Sequence, residues 1–569
     1  MTLPALENHA ARPIAGTVAV LALAAIALYL PWIDWGLPYA TAADRVKTYA
    51  ADEIVPMEGL AEMYHTFVDH SPERNYGYPL FHYFLVTVAQ APYLGLEKLT
   101  GRFQKPSPFY PFGFADPIEA LRWLTLSGRV LSVLMGAGTV VCTFFFARSL
   151  WGYWTGVLAA VLVLLNYYVV YYSRTANLDG PAFFWISISV AIFARVLEKG
   201  LTTGRAIWMG LFAGVAIATK DQSVLVLLPL GCCLLLPRIR VGAPAKAYWA
   251  GLGTSVAAYV VTTGMIVDPN RHITHVLKLF LRSKDLSFMY FYHPPFPKGW
   301  AGTWELVLDS FKALMWTSSA PVLIAAALGI LFTVRVAPRR LVLLLPVLSV
   351  FLGLTLPIRM VGLRYYLPLT MMIDGFAAFG LLEIGRRFSK PLAAAAIFLV
   401  CGYRLAMAVD LTHAQADETR TAAAAWFRAH AKPGERIEYF GIFEKMPPLP
   451  TEISSRRIAG RTNWVMESGH GPSILRYLAS EGPEFVIGIP DFTGKYDSFD
   501  PSGDCPPEVD QALKAGTAGY KQVAYFETPS LLPDLLRPPR LDYPTVSPPV
   551  RIFARNDIAE RVTAGGPRP

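Results

Sequence analysis

Long apolar runs alternate with short polar segments along the first 410 residues of the chain. Three of these runs, 13–33, 151–172 and 247–267, carry no charged residue and are long enough to cross the hydrocarbon layer as helices. Further runs raise the predicted number of spanning helices to about eleven: 130–147, 180–194, 206–219, 223–237, 313–334, 341–358, 365–382 and 391–408. The pattern therefore predicts an all-α polytopic membrane domain over residues 1–409.

One additional apolar run, 79–96, decides on which side of the membrane every later loop lies. If it is a juxtamembrane surface helix, most cations of the short loops lie on the cytoplasmic side, as Lys and Arg usually do. The cytoplasmic cations are then Arg148, Lys199, Arg205, Arg238, Arg240, Lys246, Arg335, Arg339, Arg340, Arg386, Arg387 and Lys390, against Arg174, Lys220, Arg359 and Arg364 outside. This asymmetry favours a surface helix at 79–96 and a cytoplasmic N-terminus.

The same topology places three long polar segments on the non-cytoplasmic side. These are a first outer loop at 34–120, a second near 268–312, and the tail at 410–569. Long loops of this kind often carry function. The tail combines a helical pattern at 421–430 with β-rich runs, at 436–440, 485–489 and 550–554. We therefore expect a small extracytoplasmic α/β domain at 410–569.

Composition agrees with a membrane protein and excludes other classes. Of 569 residues 53% are hydrophobic and only 16% are charged, and the mean hydropathy is +0.37. The net charge of +9 is spread over loops, so the chain has no basic patch suited to nucleic acid. Four of the five cysteines lie in apolar runs, so neither a disulfide framework nor a cysteine metal site is predicted.

The first outer loop concentrates ionisable side chains close to the membrane. They are Asp34, Asp44, Asp52, Glu53, Glu58, Glu62, His65, Asp69, His70 and His82. A carboxylate placed here could remove a proton from an acceptor hydroxyl. For any one of these residues taken alone, a solvated acid in a loop is the simpler interpretation. The spacing of His65, Asp69 and His70 suggests a metal only weakly, because a fourth ligand is missing.

Several strings of this chain, taken in order, resemble the polyprenyl-phosphate-dependent GT-C glycosyltransferases, such as the protein O-mannosyltransferases and aminoarabinose transferases. The strings are Trp35-Gly36-Leu37-Pro38-Tyr39 with Asp44, Tyr78-Pro79-Leu80-Phe81-His82-Tyr83-Phe84, Gly128-Arg129-Val130-Leu131-Ser132, Ala147-Arg148-Ser149-Leu150-Trp151-Gly152, Ser173-Arg174-Thr175-Ala176-Asn177-Leu178-Asp179, Ala218-Thr219-Lys220 and Arg364-Tyr365-Tyr366-Leu367-Pro368. The resemblance implies a GT-C-like fold with an outer active-site cavity.

The resemblance also implies catalytic acids. Asp44 corresponds to the acid after the first helix and would be the base, with Asp179 as a second acid that orients the acceptor or a metal. Arg45 stands where the family usually has glutamate, and Asp52-Glu53 is an intact acidic pair that competes for the assignment. For Asp179, helix capping is an equally good explanation.

Outer-side cations are suited to a phosphate leaving group. Arg364, Tyr365, Arg359, Lys220 and Arg174 are the candidates for substrate binding, together with His82 and Tyr78 of the first loop. Snorkelling towards lipid headgroups is the alternative for the cations, most of all for Lys220. Within the apolar run 365–382, Asp374 needs a partner or water, so it is predicted to be functional or to pair helices.

The resemblance implies an inverting transfer of a hexosyl or pentosyl unit from a polyprenyl-phosphate-sugar donor. The acceptor would be an envelope lipid, glycan or protein on the non-cytoplasmic face, with membrane lipids as further partners and a divalent metal ion as a candidate cofactor. The alternatives are a transporter or lipid flippase, and a GT-C-like ligase that transfers a whole glycan. The candidate residues cluster at one membrane face, which favours an enzyme. A transporter should instead have polar residues along its substrate path near the bilayer midplane.

Overall fold

The computed structural model describes residues 14–39, 48–50, 52–54, 56–70, 78–107, 109–236, 244–284, 296, 298–359, 361–440, 446–449, 452–458, 470–489, 505–537 and 546–564. Within these residues the chain is mostly helical, with one small sheet near the C-terminus.

Helices make up most of the described structure before the tail. They are α1 (Ile14–Tyr29), α2 (Glu58–Phe67), α3 (Phe81–Leu99), α4 (Pro117–Trp151), α5 (Tyr153–Leu164), α6 (Tyr167–Arg174), α7 (Asp179–Lys199), α8 (Thr203–Thr219), α9 (Ser223–Cys233), α10 (Ala245–Thr262), α11 (Pro269–Lys284), α12 (Trp300–Ser318), α13 (Ala320–Val336), α14 (Pro338–Ile358), α15 (Leu363–Arg387) and α16 (Lys390–Ala416). Both α14 and α15 include turns of other than α-helical geometry.

Five helical segments of the described chain are long and apolar enough to cross a membrane, and two bent pairs raise the number to seven. The five are α4, α7, α14, α15 and the segment Lys390–His430. The protein is therefore a multi-pass membrane protein. The shorter apolar helices α1, α8 and α9 also lie in predicted runs, and the total of about eleven spans stays a prediction. The helix predicted at 79–96 forms as α3 and is not among the five.

Two runs that were predicted as continuous helices are interrupted. The axes of α5 and α6 differ by 62°, and those of α12 and α13 by 99°. The first break is stabilised by Asn166, whose side chain accepts the Tyr168 N–H at 2.9 Å. The second lies at Ser319, where the backbone adopts a φ of 67°. Asn166 Nδ2 also donates to the Thr317 carbonyl at 2.9 Å, so the two breaks face each other.

A buried ion pair stabilises both breaks. The guanidinium of Arg404 on α16 donates to both carboxylate oxygens of Asp374 on α15, at 2.7 and 2.8 Å. The same group donates to the carbonyls of Leu162 and Ser318, which the interrupted helices leave without helical partners. Asp374 is fully buried, so the structure shows the helix-pairing role predicted for it.

Close helix packing depends on glycine at two places. A Cβ on Gly329 of α13 would lie 1.9 Å from the Phe376 carbonyl oxygen of α15. A Cβ on Gly210 of α8 would lie 2.1 Å from the Gly251 carbonyl oxygen of α10. Because small residues let helix backbones approach, these two helix pairs form tight contacts within the bundle.

The C-terminal part contains a five-stranded sheet between two layers of helices. Its strands are β1 (Arg436–Phe440), β2 (Ser454–Arg457), β3 (Phe485–Gly488), β4 (Tyr520–Phe526) and β5 (Val550–Arg555), in the order β2-β1-β3-β5-β4. The β2-β1-β3 pairs are parallel and the β3-β5-β4 pairs antiparallel. The helices are α17 (Thr419–His430), α18 (His470–Glu481), α19 (Pro507–Ala515) and α20 (Asn556–Ala564).

Alternation along the strands explains the layers. Phe485 and Ile487 join one apolar cluster with α17 and α20, whereas Val486 joins the other with α18 and α19. The helix and the three strands predicted in this part of the chain are thus found, with ends within two residues. β2 and β4 were not predicted.

Candidate active site

Three helix ends meet at one end of the bundle, and each carries an ionisable side chain. Asp179 is the first residue of α7, Lys220 directly follows α8, and Arg364 lies in the first turn of α15. The first loop adds Asp52 and Tyr78 at the same place. With Tyr365, which lies beside Arg364, the chain thus brings six of its predicted or alternative site residues together.

The pair Asp179 and Lys220 is buried. Lys220 Nζ lies 2.5 Å from Asp179 Oδ1, and each side chain is 7% exposed. Leu178, not Asp179, occupies the cap position of α7, and the cap makes no side-chain hydrogen bond. Asp179 therefore does not act as the helix cap, although the helix dipole still favours an acid in the first turn.

The pair Asp52 and Arg364 is more open. Arg364 Nη1 lies 2.5 Å from Asp52 Oδ2, and the Asp52 side chain is 33% exposed. Asp52 has a φ of 57°, in the left-handed region that a non-glycine residue enters only at a local energetic cost. The Arg364 guanidinium also lies 5.6 Å from the centre of the Tyr365 ring.

Electrostatic effects show that the two ion pairs are neighbours. Burial raises the pKa of the Tyr78 hydroxyl well above its usual range, and the charges of Asp52 and Asp179 raise it further while Arg364 opposes them. Burial lowers the pKa of the Lys220 ammonium, Asp179 opposes this, and Arg364 lowers it again. We call Asp52, Tyr78, Asp179, Lys220, Arg364 and Tyr365 the acid–cation cluster.

Glu53, the second member of the acidic pair, is occupied elsewhere. Its carboxylate accepts two hydrogen bonds from Arg129, both at 2.7 Å, and a third from the Ala176 N–H at 2.7 Å. Thr48 donates to the same carboxylate. Asp52 and Glu53 therefore differ: Asp52 faces the cluster, and Glu53 is buried in a network of donors. Arg129 was not predicted as a functional residue, although an arginine inside an apolar helix needs a partner.

Three predicted substrate-binding residues have contacts outside the cluster. Arg174 donates to Gln415 and Thr412 of α16, at 2.6 and 3.0 Å, and so links α6 to α16. Arg359 donates to the Phe296 carbonyl at 2.6 Å. His82 is fully buried, and burial lowers its pKa to about 3, so the imidazole is neutral.

Asp44, the predicted base, and Arg45 lie outside the described residues. The described segments on either side of them are close together, because the Tyr49 N–H donates to the Gly36 carbonyl at 3.0 Å and the rings of Tyr39 and Tyr49 are 6.3 Å apart. The assignment of Asp44 therefore stays a prediction.

A second polar network, which was not predicted, borders the cluster. His275 on α11 contacts Asp221, the residue after Lys220, at 3.0 Å, and Arg271 of the same helix lies 2.5 Å from Glu62 of α2. The helix α11 thus links the first loop to the turn that carries Lys220. These contacts join segments that are distant in the chain, so no local sequence pattern indicates them.

The described residues show no preformed site for a divalent metal ion. They include no group of three His, Cys, Asp or Glu side chains arranged as ligands. The carboxylates of Asp52 and Asp179 face cations instead, and His65 contacts only the neighbouring Asp69 of the suggested metal set, at 3.0 Å.

An apolar cleft begins beside the cluster. It has a volume of about 480 Å³ and lies among α7, α8, α9 and α10. Its lining includes Ile217 and Val224, within four residues of Lys220, and extends to Leu235 and Tyr248 at the far ends of α9 and α10. The lining of the cleft is mostly apolar.

One family model matches part of this chain. Residues 124–266 match the model of a family described as dolichyl-phosphate-mannose-protein mannosyltransferase. The matched segment includes Asp179 and Lys220 of the cluster. The resemblance to polyprenyl-phosphate-dependent GT-C glycosyltransferases is thereby confirmed, and it supports glycosyl transfer as the activity. No curated protein sequence matches the chain.

Solved structures of two proteins are similar to the chain at low identity. ArnT from Cupriavidus metallidurans in the apo state has a TM-score of 0.46 and 14% identity, with 97% of this chain and 99% of ArnT covered. The oligosaccharyltransferase of Archaeoglobus fulgidus, in complex with zinc and sulfate, has a TM-score of 0.46 and 11% identity, with 95% and 88% covered.

Proposed function

We propose that the protein is an inverting glycosyltransferase that moves one hexosyl or pentosyl unit from a polyprenyl-phosphate-linked donor to an envelope lipid, glycan or protein. The observation that carries this proposal is the acid–cation cluster, two of whose members lie in the segment that matches a dolichyl-phosphate-dependent family. The donor class follows from the name of that family.

Lys220 and Arg364 are suited to hold the phosphate of the donor. Each now contacts a carboxylate at 2.5 Å. A donor phosphate would replace these carboxylates as the partner of the cations. Both cations would then contact a phosphate in a site that is partly shielded from water. They would stabilise the negative charge that develops on this phosphate as its bond to the sugar breaks.

Asp52 is the base that the described geometry supports. It is the more exposed acid of the cluster, so an acceptor can reach it. An acceptor hydroxyl would attack the anomeric carbon while its proton passes to the carboxylate, and the bond from that carbon to the phosphate oxygen breaks with its electron pair on the phosphate. Asp179 would orient the acceptor. Asp44 is the alternative base that the sequence resemblance suggests.

The apolar cleft gives the donor chain a place. It starts within a turn of Lys220 and continues down α9 and α10. A polyprenyl chain in this cleft would leave the sugar phosphate at the cluster. This arrangement supports a lipid-linked donor over a soluble nucleotide sugar.

Topology completes the proposal. With a cytoplasmic N-terminus and an odd number of spans, the cluster and residues 410–569 would lie on the non-cytoplasmic face. Residues 1–409 would form the catalytic membrane domain and the tail a separate extracytoplasmic domain. The charge asymmetry of the loops supports this orientation.

The test compares lipid-linked sugars and envelope glycans by mass spectrometry in cells with wild-type protein, without it, and with single variants. Asp52→Asn should lower transfer about 100-fold or more, because it removes the base but keeps the size of the side chain. Asp69→Asn, in an exposed pair of the same loop, is the matched control and should leave transfer unchanged.

Asp44→Asn decides between the two candidate bases. Loss of transfer in Asp44→Asn with normal transfer in Asp52→Asn would assign the base to Asp44. An unchanged glycan profile in cells without the protein, together with altered uptake or export of a solute, would instead favour a transporter.

A further inference from the structure

The start of the C-terminal part is joined to the first outer loop by a buried polar contact. Glu418 accepts a hydrogen bond from Trp35 Nε1 at 2.7 Å and two from Arg420, at 2.7 and 2.8 Å. The Arg420 guanidinium lies 3.8 Å from the centre of the Tyr49 ring. Arg420 is fully buried, and Trp35 and Tyr49 are each 5% exposed. We call these four residues the tail clasp.

The tail clasp includes one residue on each side of the segment 40–47. Trp35 precedes the segment 40–47 and Tyr49 follows it, and Arg420 contacts both rings. A buried ion pair contributes little net stability, because desolvation offsets its attraction. What it does supply is a defined geometry, since removing one partner leaves a buried charge unpaired. The clasp therefore specifies where Trp35 and Tyr49, the described residues on either side of this segment, lie relative to the tail.

A continuous chain of contacts leads from the clasp to the acid–cation cluster. The Arg129 guanidinium donates to the Trp35 carbonyl at 2.6 Å and also holds the Glu53 carboxylate. Glu53 directly follows Asp52 in the chain. Glu53 also accepts the Ala176 N–H, and Ala176 lies three residues before Asp179. Displacement of Trp35 would therefore shift both Asp52 and Asp179.

We propose that Glu418 and Arg420 are positioning residues for glycosyl transfer: through Trp35 and Arg129 they hold Asp52 in place opposite Arg364. The proposal rests on the function proposed above. Glu418 contacts Trp35, and Arg129 links Trp35 to Glu53, so the effect of Glu418 and Arg420 on the reaction is indirect. The tail would then be required for catalysis because of the loop position that it enforces.

The first experiment uses purified full-length protein and measures sugar transfer and the binding of undecaprenyl phosphate as a probe. Arg420→Ala should lower kcat roughly 10- to 100-fold, as expected for a small misplacement of a catalytic group. Binding of the probe should change little, because Lys220 and Arg364 remain. Arg420→Lys should retain more of the wild-type kcat than Arg420→Ala. It keeps a cation over the Tyr49 ring but loses the bidentate contact with Glu418.

The matched control is Arg561→Ala, which removes another arginine–glutamate pair of the C-terminal part, that with Glu435. It should leave kcat and probe binding unchanged. If Arg420→Ala does not fold, Trp35→Phe takes its place, because it removes the hydrogen bond to Glu418 and keeps an aromatic ring. Wild-type kcat in a folded Arg420→Ala or Trp35→Phe variant would overturn the proposal.

A double-mutant cycle separates this inference from the proposed function. If Arg420 acts through Asp52, Arg420→Ala should have almost no further effect in an Asp52→Asn protein. Independent, multiplying losses would refute the positioning role and leave Asp52 as the base. Normal transfer in Asp52→Asn alone would refute the proposed base, whatever Arg420→Ala does.

Discussion

Lys220 carries its ammonium in a buried position beside Asp179. Burial disfavours the charged form and lowers the pKa, while the carboxylate 2.5 Å away favours it and prevents a larger change. Among the predicted cations, snorkelling to headgroups was the favoured alternative for this residue. The side chain instead contacts an acid inside the protein, which fits a residue that exchanges a carboxylate for a phosphate.

This environment leads to a pH prediction. A phosphate needs the charged form of Lys220, and a lowered pKa means that this form is lost at a lower pH than for an ordinary lysine. In wild type, kcat/KM for the lipid donor should therefore fall on the alkaline side. Lys220→Arg should abolish that decline, because arginine stays protonated, although its absolute rate is reduced by the different shape. A pH profile of both proteins decides; an unchanged alkaline decline in Lys220→Arg would assign it to another group.

Among the helices, the contact between α13 and α15 leaves no room for a side chain larger than glycine. It places α15, whose first turn carries Arg364, against the bent pair α12 and α13. Since the Phe376 carbonyl oxygen would lie 1.9 Å from a Cβ at position 329, no larger side chain fits there. The position of α15, and with it of Arg364, therefore depends on a glycine.

Gly329→Ala should destabilise the protein by about 1–3 kcal/mol through overpacking. Gly402→Ala is the matched control, because Gly402 lies in the apolar helix α16 and nothing lies within 4 Å of its added Cβ. Thermal unfolding in detergent should show a lower Tm for the first variant and an equal or slightly higher Tm for the second. Equal Tm values for the two variants would contradict the close packing.

The interrupted helices show why element boundaries inside apolar runs were not predictable. Hydropathy along 151–172 and 313–334 is continuous, so length and composition favour unbroken spans. The breaks exist because distant groups satisfy the freed carbonyls, above all Arg404, which lies 242 residues from Leu162. Polar satisfaction by another helix is a tertiary property, and no local pattern reports it.

At the scale of the whole molecule, the orientation of the tail can be tested by cysteine labelling. The natural cysteine of the tail, Cys505, is buried at 4% exposure and is unsuited to this purpose in the folded protein. Glu481 at the end of α18 is exposed, as is Lys199 at the end of α7 on the predicted cytoplasmic side. These two positions form a matched pair of reporters.

Glu481→Cys should react with a membrane-impermeant thiol reagent in intact cells, whereas Lys199→Cys should react only after the membrane is opened. The reverse pattern would place the tail in the cytoplasm and make the run 79–96 a true span. Wild-type protein measures the background from its natural cysteines.

The sequence by itself determined the class of protein, the main helical runs, the α/β character of the tail and a list of ionisable candidate residues. These properties follow from local hydropathy, alternation and charge, which need no knowledge of distant contacts. Tertiary structure decided which of those residues meet. Arg364 reaches Asp52 across 312 residues, Arg129 reaches Glu53 across 76, and Trp35 reaches Glu418 across 383. The adjacent acids Asp52 and Glu53 look equivalent in the sequence, yet one faces the cluster and the other is buried against Arg129. Partner choice at such separations depends on how the helices pack, because only packing determines which charges lose their water and must find one another.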